Sequence, residues 1–211
     1  MLKFTICIIG IAFCSQSKAV TKSFQNVPIH FLSSDFTTKN PKYLSIILKN
    51  LDLLSKIASE DEIISSVKKQ NAEKLDKKII LERDLEWKST LKETKTKKML
   101  KIKKASRFLK YVTTNKHSDL LSEAFLTDNQ GANVAAFPLT SDYWQGDEAK
   151  WQKAMNSGKC QIVIGDVNYD DSADSKIIQI SIPVYDGEFG TGNCIGVLVM
   201  GIKDLYIRKN L

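Results

Sequence analysis

The feature that most constrains the fold is the alternation of Ile178, Ile180 and Ile182 with Gln179, Ser181 and Pro183. Strand side chains point to opposite faces with a period of two, so this segment needs one buried face and leaves the other polar. It lies among similar short runs. Residues 120–127, 133–137, 161–169, 176–184 and 195–205 all read as strands, with turn chemistry between them: Asp128-Asn129-Gln130-Gly131, the stretch 170–175, and the glycine-rich stretch 186–193. Between the second and third strands, Thr140 to Asp142 offer N-cap residues for a short helix over 145–156, closed by Gly158. The expectation is a sheet of five antiparallel strands interrupted once by a helix.

Upstream the period changes. Pro41 stands where helices begin, with Asn40 as N-cap, and Leu44, Ile47, Leu48, Leu51, Leu54 and Ile57 follow one helical face. Ser59 and Glu62 have capping-box spacing before Ile63, Ile64 and Val67, and a third helical stretch covers 75–91. Residues 20–127 carry 22 Lys/Arg against 13 Asp/Glu, whereas 128–211 carry 7 against 11. Ten of the cations fall between Lys88 and Lys110, where Glu93 is the one acid.

The first residues are not read as fold. Lys3, the apolar run from Phe4 to Phe13 and Ser17-Lys18-Ala19 have the order of a cleavable export signal, and a run of this length is too short for a bilayer core of ~30 Å. The expected organisation is therefore a signal peptide at 1–19, an irregular segment at 20–40, and one domain at 41–211. That domain divides into a helical lead-in at 41–115 and a sheet core at 118–206. Processing at Ala19 would give a soluble protein in the periplasm or outside the cell. It would also leave Cys160 and Cys194, which an oxidising compartment lets bridge, although two small core residues is an equal alternative. The two open the third and fifth strands, and a bridge is expected if those strand ends curl together.

The residues from Glu123 to Ala135 resemble the first hairpin of Cache (PDC) sensor domains. Thr140 to Trp151 is similar to the helix-opening segment of a single-Cache subgroup. Gly165 to Val167 with Tyr169 to Ser172 resembles the third strand and its turn, and Ile180 to Asp186 with Ile195 to Val199 resembles the ending of that family. Helical residues Val67 to Asn71 and Leu81 to Trp87 resemble its lead-in. The resemblance spans roughly 51–205. It implies an α+β, PAS-like sheet of five antiparallel strands with a long N-terminal helical segment packed on it, binding a small molecule without catalysis. Relatives of that kind are usually flanked by membrane helices. This chain has no second such segment, so it is expected to act as an exported module through a separate, membrane-bound signalling partner.

Two groups of residues are candidates for the site. Asp142, Tyr143, Trp144, Asp147 and Trp151 combine aromatic walls with acceptors, with Glu148 beside them, although Asp142 could equally cap a helix and the rings fill core. On the sheet, Asp166, Tyr169, Asp170, Ser172, Gln179 and Ser181 could face them, or serve only as turn and wet-face residues. Carboxylates with aromatic walls suit an amine. Lys150 and Arg107 are the only possible basic partners of these mostly acidic groups, and the cationic or amide clamp that an amino-acid-like ligand also needs is not identified in the sequence.

Catalysis has little raw material. His30 and His117 stand apart in polar sequence, no clustered Cys/His ligands suggest zinc, no glycine loop cradles phosphate, and no cofactor is implied. Nucleic acid is not an expected partner. The competing function class is a secreted interaction protein or effector that uses a Cache-like scaffold and its basic helical surface to bind a protein or an anionic membrane.

Overall fold

The computed structural model describes residues 27–33, 40–170 and 175–211, so the expected signal peptide at 1–19 and Ser172 lie outside the described residues. Helix α1 (Pro41–Ala58) starts at the expected proline, although the Asn40 side chain makes no capping bond. Its Ile47, Leu51 and Leu54 are fully buried, as their spacing requires. Helix α2 (Asp61–Ala72) follows without the expected capping box. The Ser59 hydroxyl donates back to the Ser55 carbonyl, and Glu62 pairs with Lys104.

Helix α3 (Lys77–Lys88) is capped by Asp76, whose carboxylate accepts from the Lys78 N–H at 2.7 Å. The basic stretch folds into α4 (Lys95–Ile102) and α5 (Lys104–Tyr111), which runs on into a π-helical turn at Val112–Lys116. The expected lead-in is helical, an 18-residue α1 followed by shorter helices. Among the described residues no helix is long and apolar enough to cross a membrane.

Residues 27–33, expected to be irregular, contain strand β1 (Ile29–Phe31). The remaining strands are β2 (Leu121–Thr127), β3 (Asn133–Phe137), β4 (Ile162–Asp170), β5 (Ser175–Asp186) and β6 (Asn193–Lys203). Helix α6 (Ala149–Met155) lies between β3 and β4, and α7 (Asp204–Lys209) follows β6. The sheet order is β1-β4-β5-β6-β2-β3. Strands β2 to β6 pair antiparallel in the predicted order, with β4 and β6 flanking β5. The sixth strand is the correction, because β1 adds to the β4 edge in parallel.

Both faces of this α+β sheet are covered. Ile178, Ile180, Ile182 and Val184 of β5 join Leu198, Met200 and Ile202 of β6 in a core roofed by α1, α2, α5 and α7. The opposite face presents Phe125, Val163, Val197 and Val199 to Ile80 and Trp87 of α3, Leu100 of α4 and Ala154 of α6. The wet face that sequence alternation suggested for β5 is therefore a second core, in which Ser181 is fully buried. Cys160 and Cys194 form the expected disulfide, with Cα atoms 6.3 Å apart.

Candidate functional site

Residues 138–148, between β3 and α6, form a strap across one end of the second core. A single carboxylate holds it. Asp84 lies on the stripe of α3 that buries Ile80 and Trp87, and its Oδ1 accepts from the backbone N–H groups of Tyr143 at 2.9 Å and Trp144 at 3.0 Å. Its Oδ2 pairs with Lys88 at 2.5 Å. From the same helix, Trp87 donates its indole N–H to the Thr140 carbonyl at 2.9 Å and packs against Tyr143, ring centroids 5.9 Å apart. Asn133 completes the grip: its side-chain amide donates to Thr140 Oγ1 and to the Asp142 carbonyl.

The strap also pairs with the β2–β3 hairpin. Ala132 bridges to Trp144, and the Gln145 N–H donates to the Gly131 carbonyl at 2.7 Å. This pairing explains why α6 begins at Ala149, four residues later than the predicted 145, and why Asp142 caps nothing: its carboxylate accepts from the Gln145 side chain instead. Two glycines permit the approach. Gly131 has φ +82°, and a Cβ built there would lie 2.5 Å from Gly146; a Cβ on Gly146 would lie 2.3 Å from Trp144 Nε1. Gly146→Ala is therefore expected to push Trp144 off its 2.8 Å bond to the Gln130 carbonyl. Overpacking of this kind costs ~1–3 kcal/mol, which a thermal melt and a shift in tryptophan emission would register.

The candidate residues fall into three sets. Tyr143, Trp144, Trp151 and Ser181 all meet the second core. Tyr143 is buried and lends its hydroxyl to Arg83; burial raises its pKa, with Arg83 opposing. Trp144 is half-buried, and the ring face that the sequence offers to a ligand carries the Lys77 ammonium 3.1 Å from its centroid. Burial lowers the Lys77 pKa, while Asp147, Asp128 and Asp84 pull it back up.

At the rim, Asp142, Asp147 and Glu148 bring one carboxylate oxygen each within 4.8 Å of one another, a spacing that could hold a cation. The third set is not brought to the strap. Tyr169 pairs with Lys176, while the strap stands level with Pro183, seven residues up β5 and roughly 23 Å away at strand rise. Asp166 lies on the same remote stretch as Tyr169, as does the backbone of Asp170. Gln179 donates to Glu123, a buried carboxylate at the lower end of the second face.

Beneath α6 the geometry is distinctive. Trp151 Nε1 and Ser181 Oγ are buried with no hydrogen-bond partner among the described residues, and Asn133 Oδ1 of β3, beside the strap, shares this state. Lys150, next to Trp151, holds its ammonium 5.4 Å from the ring of Phe125 in the same core. Three donor groups, one hydroxyl, one indole and one ammonium, are thus directed at the second core. The sequence marks Trp151 and Ser181 but not Phe125, Glu123 or Asp84. Asp84 had a signal, since it interrupts the apolar i, i+4, i+7 stripe of Ile80 and Trp87. A groove of about 330 Å³ between Pro41, Lys49 and Asn210 involves none of these residues.

No family matches the chain by sequence, and no curated protein matches it either. Among the solved structures with a similar course of the chain are sensor domains. They include the V. cholerae histidine kinase DctB sensor domain (15% identity, TM-score 0.44), where the match covers 83% of this chain and 57% of that one. The E. coli DcuS sensor domain is 17% identical over 63% of this chain and 94% of that one, with a TM-score of 0.37. The sensory domain of the Campylobacter jejuni chemoreceptor Tlp3, solved with isoleucine bound, is 18% identical over 84% of this chain and 67% of that one, also with a TM-score of 0.37. The chain thus spans little more than half the length of the DctB domain.

Proposed function

We propose that this chain is an exported, Cache-like sensor domain that binds an amino-acid-like ligand on the second face of its sheet and acts, without catalysis, through a separate membrane-bound partner. The observation that carries the reading is that Trp151 Nε1 and Ser181 Oγ are both buried without a partner among the described residues on the face that α6 covers, with the Lys150 ammonium 5.4 Å from the Phe125 ring of the same core. A buried polar group without a partner costs ~1–3 kcal/mol, so two on one covered face favour a ligand that satisfies them. A carboxylate fits three donors, and the acidic rim of Asp142, Asp147 and Glu148 suits the ammonium end of the same ligand. The strand order and the likeness of residues 140–151 to a single-Cache segment support the same reading.

The site differs from the one the sequence suggests in its walls as well as in leaving out Asp166, Tyr169, Asp170 and Gln179. Lys77 lies over one face of the Trp144 ring, and the walls are Trp151 and Phe125 instead.

The test is calorimetric titration and thermal shift with the standard L-amino acids on wild type, Ser181→Ala and Trp151→Phe. Each variant removes one donor, Ser181→Ala at nearly constant volume and Trp151→Phe together with the five-membered ring of the indole, so affinity is expected to fall roughly tenfold or more in each. Unliganded Ser181→Ala should be as stable as wild type or more so, because it deletes an unpaired hydroxyl. No titratable amino acid for the wild type, or a Ser181→Ala protein that melts well below it, would overturn the assignment.

A further inference from the structure

The cations that the sequence gathers between Lys88 and Lys110 lie in α3, α4, α5 and the turns that join them, outside the segments that form the sheet and the strap. Helix α4 turns Thr96, Lys97 and Leu100 inward. Its outward face, at helical spacing, carries Met99 and Ile102 between Lys95 and Lys98, and Ile102 is 64% exposed. Helix α3 repeats the arrangement, with Leu81 and Leu85 outward between Lys78 and Lys88, and Leu85 is 68% exposed. Leu91, in the loop joining these two packed helices, is fully exposed. Two successive helices therefore bury one stripe and present a second apolar stripe to solvent, each time flanked by lysines.

Charge on this surface is poorly balanced. Lys88, Lys101 and Lys104 have acidic partners, whereas Lys92, Lys95, Lys98, Arg107 and Lys110 form no ion pair among the described residues. A solvated helix face would have lysines without the leucines. A groove for single-stranded nucleic acid would pair its cations with exposed aromatic rings for stacking, and α3 and α4 place aliphatic side chains there instead. Cations spaced around exposed aliphatic side chains match one kind of partner, a surface with anionic headgroups over hydrocarbon.

We infer that the α3–α4 face is a docking surface for an anionic lipid bilayer, which Leu85, Leu91, Met99 and Ile102 enter while the lysines contact headgroups. This function goes beyond ligand sensing and rests on a different face of the molecule. Peripheral docking would keep an exported module at the membrane where a signalling partner resides.

The experiment is co-sedimentation of the purified chain with phosphatidylcholine vesicles, with and without phosphatidylglycerol, at low and physiological salt. It compares wild type, Lys95→Gln/Lys98→Gln and Leu91→Asp/Ile102→Asp. All four positions are exposed, so unchanged circular dichroism and melting are expected. Binding should require phosphatidylglycerol and weaken with salt. An exposed lysine near an anionic surface contributes about fivefold, so the lysine pair should lower partitioning about 25-fold. The apolar pair should also lower it, leaving only a salt-sensitive residue. Equal binding to neutral vesicles, variants that bind like wild type, or binding to heparin but not to vesicles would each overturn the inference.

Discussion

Replacing Asp84 by alanine is expected to lower the melting temperature by about 10 °C, on the basis of ~3–5 kcal/mol lost and about 2–4 °C per kcal/mol in a domain this size. The carboxylate is 4% exposed and satisfies two consecutive N–H groups of the strap, those of Tyr143 and Trp144. Alanine leaves both donors buried or half-buried with no acceptor. Loss of the Lys88 pair adds little, because half of that lysine side chain is in water. Asp84→Asn keeps an oxygen that can accept from both amides and should fall between wild type and alanine.

The strap should loosen as well. Trp87 and Tyr143 stay in the core, but Trp144 loses its anchor, so iodide should quench more of the tryptophan emission. An alanine variant melting within about 2 °C of wild type would mean the strap is held by Asn133 and the hairpin alone.

The fate of Asp84 shows where sequence stops being legible. Lys77 to Lys88 is so rich in charge that its acids look solvated, and only the spacing with Ile80 and Trp87 marks this one as buried. Strands were legible because Ile178, Ile180 and Ile182 alternate and turn residues bound each run. Gly131 adopts the positive φ that its hairpin needs. β1 was not legible, since three residues define a strand only through the partner they pair with, here β4, whose Ile162 N–H donates to the Pro28 carbonyl and whose Ile164 carbonyl accepts from the Leu32 N–H on either side of β1.

The capping box at Ser59 failed for a local reason. A serine hydroxyl can satisfy the carbonyl four residues back, and here it does. The candidate segment from Asp142 to Trp151 folds as part of the strap and the start of α6. Which of its rings turn inward depends on α3 and the hairpin, distant stretches that no local pattern reports. The same holds for Ser181: alternation assigns it to the face opposite Ile180, but only the packing of α3, α4 and α6 makes that face dry.

The second large effect is expected from the disulfide. Exchanging Cys160 and Cys194 for serine together should cost about 3–4 kcal/mol, the loop-closure entropy that a bridge over a 34-residue separation removes from the unfolded chain. For a domain of this size that corresponds to a fall of about 7–15 °C in melting temperature. The bridge has a position as well as a loop. Cys160 holds a left-handed backbone angle, φ +33°, between the end of α6 and the start of β4. Cys194 sits opposite Tyr185 on β5, with its sulfur 3.7 Å from the sulfur of Met155 in α6. The link therefore ties the helix that carries Lys150 and Trp151 down to the sheet that carries Ser181.

Two readouts follow. Reduction of the wild type and the double serine exchange should lower stability alike, because both release the same loop. Both should also weaken binding of any amino acid that titrates the wild type, because α6 is freer to lift from the donors it covers. The stability loss alone would show a bridge that constrains the unfolded chain and does not order the site. If the double variant melts with the oxidised wild type, the entropic account of the bridge fails.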